Sequence, residues 1–208
     1  MNYKLKTTLF VLLCSAGFIY CGPAAVGDVK SSPLDTIHIG DQIWMKHNTS
    51  INLPNSFWYE RDSINNHQNG RLYFFSAAQN ACPKGFHIPT DEEWQVLIDR
   101  FGGNEQAGKA LMEGGASGLN LPLPGYRSGN SSSDLFGKKG EQGFYWSSTV
   151  KGDQTAYARL FTANSTVITN IFYRRANAFS VRLIMDALQN RNRLKWLVES
   201  FVVETWVE

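Results

Sequence analysis

Apolar residues recur along the chain with two periods, one of a helix and one of strands. Trp94, Leu97, Ile98 and Phe101 fall at i, i+3, i+4 and i+7, which is the buried stripe of an amphipathic helix. Thr90 stands three residues before Glu93, the spacing of a capping box. Asp91 and Glu92 add negative charge to the first turn, where the helix dipole favours it. Gly102 and Gly103 end the helix. Just upstream, Pro83 and Gly85 turn the chain, Phe86 and Ile88 sit two apart as in an extended segment, and Pro89 ends that extension. The stretch Cys82 to Trp94 thus predicts a strand, a turn and a capped helix held to a core by Trp94.

The remaining elements follow in order. Ile37, Ile39, Ile43 and Trp44 predict two short strands about a Gly40–Asp41 turn, with Trp44 in the core. Residues 47–70 are rich in Asn, Ser and His and read as a long loop, whose Phe57, Trp58 and Tyr59 are either a ligand platform or, the favoured reading, tucked under the loop. Residues 74–81 and 105–112 predict short helices. Gly- and Ser-rich loops over 114–120 and 128–143 flank Leu121 to Arg127. Strands are expected over 144–149, 156–161, 167–172 and 179–183. In the second of these, Ala156, Ala158 and Leu160 alternate with Tyr157, Arg159 and Phe161. Two main helices followed by short antiparallel strands describe an α+β domain.

The two ends differ from this middle. Residues 1–21 carry Lys4 and Lys6 ahead of the apolar run Leu9 to Tyr20, which predicts a signal peptide. Cys21 stands where a lipoprotein leader ends. Lipidation at Cys21 would tie the chain to a membrane, although Tyr20 fills a site that usually holds a small residue; cleavage after Gly17 or Ala25 is the alternative. Residues 22–34 are small, polar and breaker-rich, as in a flexible tether. The domain is expected over 35–185. Residues 186–208 carry Leu194, Leu197, Val198, Phe201 and Val202 in a helical stripe, either docked on the domain or offered to a partner or membrane surface.

The chain has 20 basic and 18 acidic residues, and the two kinds are equal once Lys4 and Lys6 are set aside. That balance gives no electrostatic footprint for nucleic acid. One stretch, Gly103 to Ala110, mimics a phosphate-binding loop. It ends in Ala110 where a magnesium-binding hydroxyl is needed, and it follows a helix instead of a strand.

The ordered motifs carry a family resemblance. Gly40 to Met45 (Gly-Asp-Gln-Ile-Trp-Met), Gly70 to Tyr73, Cys82 to Trp94, Leu123 to Arg127 (Leu-Pro-Gly-Tyr-Arg), Tyr145 to Thr149 and Ser180 to Leu183 resemble the Fibrobacter succinogenes major paralogous domain, a family of bacterial secreted and lipid-anchored proteins. Phe86 replaces the family's Trp and Ile88 its Leu. The resemblance implies a C-type-lectin-like fold, which formylglycine-generating enzymes also use, and in which the first and last strands pair. Ile37 would then lie near Val181. It also implies localisation in the cell envelope, outer-membrane-anchored or extracellular. Leu183 stands where the family commonly has a cysteine, a plausible disulfide partner for Cys82. Here Cys82 is left either as a buried apolar side chain or to pair with another chain or with an unlipidated Cys21.

No enzyme constellation assembles. His38, His47, His67 and His87 lack metal-ligand spacing. Ser147 and Ser148 are not on a nucleophile elbow, and the cysteine pair of formylglycine-generating enzymes has no counterpart. The expectation is a non-catalytic surface module without a cofactor. Calcium enters by fold analogy only, since neither a Glu-Pro-Asn nor a Trp-Asn-Asp tripeptide is present. Lectin-like domains bind through loops of their second half, where this chain offers Tyr126, Arg127, Tyr157, Arg159, Tyr173 and Arg174. Aromatic faces stack on sugar rings and Arg donates to carboxylates or hydroxyls. The expected partner is a polysaccharide or other glycan, or a surface protein. A structural or assembly component of the envelope is the second expectation.

Overall fold

The computed structural model describes residues 35–129 and 135–186. The signal peptide, the tether, Cys21 and the C-terminal stripe over 187–208 lie outside the described residues.

The strands, in chain order, are β1 (Thr36–Ile39), β2 (Gln42–Met45), β3 (Ser56–Phe57), β4 (Leu72–Phe74), β5 (Phe86–His87), β6 (Tyr126–Arg127), β7 (Phe136–Gly137), β8 (Gln142–Lys151), β9 (Thr155–Thr162), β10 (Ile168–Arg174), β11 (Ala178–Ser180) and β12 (Ile184–Met185). The helices are α1 (Phe75–Ala78), α2 (Asp91–Arg100) and α3 (Ala107–Leu111). Among the described residues the class is α+β, with one α-helix of ten residues and two short ones where two main helices were expected.

Helix α2 begins as its residues dictate. Thr90 Oγ1 accepts from the Glu93 N–H at 3.1 Å, and the Glu93 carboxylate accepts from the Thr90 N–H at 2.8 Å. Trp94, Leu97 and Ile98 are buried. The helix closes on Gly102 and Gly103, both at positive φ, where a side chain would be strained.

Two sheets form. The smaller has the order β1-β2-β12-β5, and the larger runs β10-β9-β8-β11-β4-β3 with β6 and β7 attached. Closure of the chain differs from the expected one. β1 pairs with β2 alone, so Ile37 faces Trp44, while the closing strand pairs with β2 by setting Ile184 opposite Trp44. The hairpin turn is tight, so β1 takes one side of β2 and leaves the other for β12. Val181 instead accepts from the Thr49 N–H through its carbonyl. The larger sheet is not wholly antiparallel either, because β11 runs parallel to β8.

Directly paired residues of neighbouring strands share a face, so the larger sheet has two, and both are covered. On one, Phe144, Trp146, Ala156, Ala158 and Phe179 pack with Phe75 and Tyr73. On the other, Tyr145, Phe161 and Ile168 pack with Trp94, Leu97 and Ile98 of α2. The buried tryptophans satisfy their indole N–H groups: Trp94 donates to the Trp146 carbonyl at 3.3 Å, and Trp146 to the Tyr73 carbonyl at 2.8 Å. Burial of each such ring contributes roughly 2–3 kcal/mol. Cys82 is half-buried and has no disulfide partner among the described residues; it packs against the cluster that holds Leu183, and burial pushes its thiol pKa up.

Candidate functional site

A cleft of about 450 Å³ opens on the side of the larger sheet where β6, β7, β8, β10 and β11 meet. Its size is that of a small-ligand site. Phe144 of β8 and Phe179 of β11 stack at 4.9 Å between centroids and form the floor. Tyr126 stands edge-on to Phe144 at 5.4 Å on one side. Tyr173 stands edge-on to both phenylalanines, at 6.1 and 5.5 Å, on the other. Ser128, Lys138, Gln142, Arg174 and Asn177 complete the lining. The result is an aromatic base with tyrosine walls and polar groups around it. Tyr173 is 43% exposed, so its ring is open to a ligand.

Local sequence explains the placement. Gly125 precedes Tyr126 at φ +74, and a Cβ there would lie 2.2 Å from the Gly137 carbonyl. This close approach lets β6 pair with β7 and leaves the bare Gly137 beneath the Tyr126 ring. Tyr173 pairs with Ala156, whose small side chain leaves the wall standing clear of the sheet. Asn177 Oδ1 accepts from the Gly129 N–H at 3.2 Å and ties the two loops around the cleft together. The Lys138 ammonium lies 2.8 Å from Glu141, which raises its pKa.

Of the residues expected from sequence, Tyr126, Tyr173 and Arg174 line this cleft. The other three lie elsewhere. Arg127, next to Tyr126 on the strand, places its guanidinium 4.2 Å over Phe57 and 5.1 Å over Phe74. Burial lowers its pKa, with Arg61 nearby adding to the effect. Tyr157 is half-buried on the opposite face of the sheet, with Phe172 edge-on at 6.4 Å and the Lys151 ammonium at 5.6 Å. Arg159 is corrected outright as a ligand-binding residue, since its side chain has no exposed surface and sits 2.9 Å from Asp91 beneath α2. Arg175 donates to the Gly152 carbonyl and covers Phe75, a bracing role. Phe144, Phe179, Ser128, Lys138, Gln142 and Asn177 were not anticipated. The two phenylalanines have the alternation of core strand residues, and only the pairing of β8 with β11 brings them together.

A second polar constellation surrounds His87. Its Nδ1 lies 2.7 Å from Asp186, and its Nε2 lies 3.0 Å from Glu93. A neutral imidazole donates from one nitrogen only, so the other would face a carboxylate with a lone pair. The imidazolium satisfies both, and Glu93 first, then Asp186, raise the His87 pKa against the effect of burial. A ring so held has no free lone pair for general-base work.

A larger cavity, about 750 Å³, is lined by Asp35, Lys46, His47, His67, Glu113 and Arg182 among others. Lys46 and His47 are both paired to Asp35. Arg182 is fully buried and donates to Asn48 and to the carbonyls of Met45, Lys46 and Leu119. Burial lowers its pKa to about 10. Among the described residues, no group of three or more His, Cys, Asp or Glu is placed to hold a metal ion.

Residues 37–185 match the model of the Fibrobacter succinogenes major domain. The chain belongs to that family. No curated protein and no solved structure matches it. The aromatic cleft lies wholly inside this Fibrobacter succinogenes major domain, between its Leu-Pro-Gly-Tyr-Arg motif and its closing strands.

Proposed function

We propose that this Fibrobacter succinogenes major domain is a non-catalytic, cell-surface binding module that holds a carbohydrate in the cleft between Tyr126 and Tyr173. The observation that carries the reading is the pair of tyrosine walls over a Phe144–Phe179 floor with uncharged amide and hydroxyl groups beside them. Aromatic surface matches the apolar faces of pyranose rings, and the surrounding donors and acceptors match their hydroxyls. The return of the closing strand to the opening hairpin supports a C-type-lectin-like architecture for the domain. Export to the envelope, with Cys21 as lipid attachment, completes the reading. A structural or protein–protein assembly role in the envelope is the second reading. It is favoured by Phe172 and Val150, exposed by about half on the sheet and its end.

The test is affinity electrophoresis and calorimetry of the full chain against soluble and insoluble polysaccharides, with calcium and with chelator. Saturable binding that weakens about fivefold in Tyr126→Ala and in Tyr173→Ala, with Tyr157→Ala unchanged, is the expected result, each ring contributing about 1 kcal/mol. No binding to any polysaccharide, or equal binding by all three variants, would sink the carbohydrate reading.

A further inference from the structure

β10 is an edge strand of the larger sheet, at the end opposite β3. In an antiparallel ladder, the backbone groups of alternate residues point to the neighbouring strand and those between point away. The Ile168 N–H donates not to β9 but to the Asn104 carbonyl at 2.7 Å, and the Thr166 carbonyl accepts from the Gly108 N–H at 2.8 Å. Even-numbered residues therefore face outward. The register with β9 runs unbroken from Ile168 to Arg174, so Asn170, Phe172 and Arg174 face outward as well. Arg175 confirms the parity by donating to Gln154 on the inward side. The Arg174 carbonyl is taken by the Asn177 N–H. The segment 104–108 thus covers the start of the edge. Among the described residues, nothing pairs with the N–H and C=O groups of Asn170 and Phe172.

Open edges of this kind are usually blunted by proline, a bulge, an inward charge or short length. β10 has seven residues, no proline and one charge, Arg174, at its last position. Phe172 is 52% exposed beside it. The edge is a template for another strand, and its charges select the strand. Over the Phe172 ring lies the Lys151 ammonium at 3.9 Å, while Asn170 donates to the Asp91 carboxylate at 3.0 Å.

We propose that two copies of this chain pair antiparallel along β10, about a two-fold axis at Ile171, and continue the sheet from one copy to the other. Asn170 of one copy then faces Phe172 of the other, and the two exchange N–H···O bonds, twice by symmetry. Directly opposed residues share a face, so Lys151 over Phe172 of one copy comes to the side of Asp91 over Asn170 of the other. An isologous contact repeats this opposite-charge match in both directions. On the other face, Ile171 meets Ile171 at a non-hydrogen-bonded position, where side chains approach most closely, and Tyr173 meets Thr169.

Sedimentation equilibrium of the full chain tests this, with circular dichroism and melting as the check on folding. The wild-type chain is expected to reach twice the monomer mass as concentration rises. Ile171→Lys and Ile171→Glu each place like charges opposite one another and are expected to remain monomeric. Mixing the two is expected to restore the double mass, because Lys then meets Glu. A wild-type chain that stays monomeric, variants that still dimerise, or a mixture of folded variants that stays monomeric overturns the proposal. Amide exchange of the wild-type chain gives a reading that needs no variant. Protection of the Asn170 and Phe172 amides is expected to rise with protein concentration, and rates independent of concentration overturn it.

Discussion

The Arg159 guanidinium meets Asp91 at 2.9 Å, and its Nη2 donates to the Asp91 carbonyl at 2.9 Å. Nε of Arg159 is buried without a hydrogen-bond partner, and the close Nη1–Oδ1 approach is a charge contact that lacks hydrogen-bond alignment. Desolvation lowers the Arg159 pKa, opposed by Asp91. An ion pair of this kind adds little net stability, but breaking it from one side leaves the other charge exposed to the low-dielectric interior. Arg159→Ala is therefore expected to destabilise the domain by about 3 kcal/mol, read as a lowered urea midpoint. Polysaccharide binding by the folded fraction is expected to be unchanged, because Arg159 lies under α2 and not in the cleft. A loss of binding at full stability would return Arg159 to the site. Asp91 retains 22% side-chain exposure and keeps some water, so Asp91→Asn is expected to cost less.

Glu93 joins three elements: it caps α2 through Thr90, and it holds His87 of β5, whose other nitrogen is held by Asp186 just past β12. The pH dependence follows from the two shifts. The His87 pKa is raised in the folded chain, so its contribution is complete below the ordinary value of 6.5 and is lost as pH rises through the folded value. The Glu93 pKa is lowered, chiefly by His87 and the Thr90 N–H against burial, so its contribution is complete above the ordinary value of 4.5 and is lost as pH falls through the folded value. The clamp is strongest between those two ordinary values. His87→Gln is expected to lower the melting temperature more at a mildly acidic pH inside that window than in alkaline buffer. An equal loss at both would show that the imidazolium is not the bound form. The cap was legible in the sequence because Thr90 and Glu93 are three residues apart and the bond is local. The clamp was not, because Asp186 lies far along the chain and reaches His87 only when β12 pairs with β5. The same limit governs the cleft. Tyr126, Tyr173 and Arg174 stood out as aromatic or cationic residues in the later strands, but periodicity does not tell which face of a strand is covered. Arg159 and Phe161 share an alternation with Tyr157, and α2 buries the first two while Tyr157 stays half-exposed.

At the scale of the molecule, the two packed faces of the larger sheet are not separable units. Tyr145 and Trp146 are neighbours on β8 yet serve opposite clusters, as do Ala158 and Phe161 on β9. Trp94 on one side donates to the backbone of Trp146, whose own indole donates across the other side to Tyr73. Arg182 then ties the closing segment to the opening hairpin and to the Leu119 loop with charge-assisted bonds, each worth about 1.5–3 kcal/mol. Loss of either face removes the support of the other, so urea unfolding is expected to be a single transition, with tryptophan fluorescence and far-ultraviolet dichroism coincident. Arg182→Met leaves the Met45, Lys46 and Leu119 carbonyls without their buried donor. It is expected to lower the midpoint sharply while both probes still move together. Two separated transitions in the wild-type chain would show that the helix-bearing face and the cleft-bearing face fold independently. A separation that appears only in Arg182→Met would assign the coupling between them to that one guanidinium.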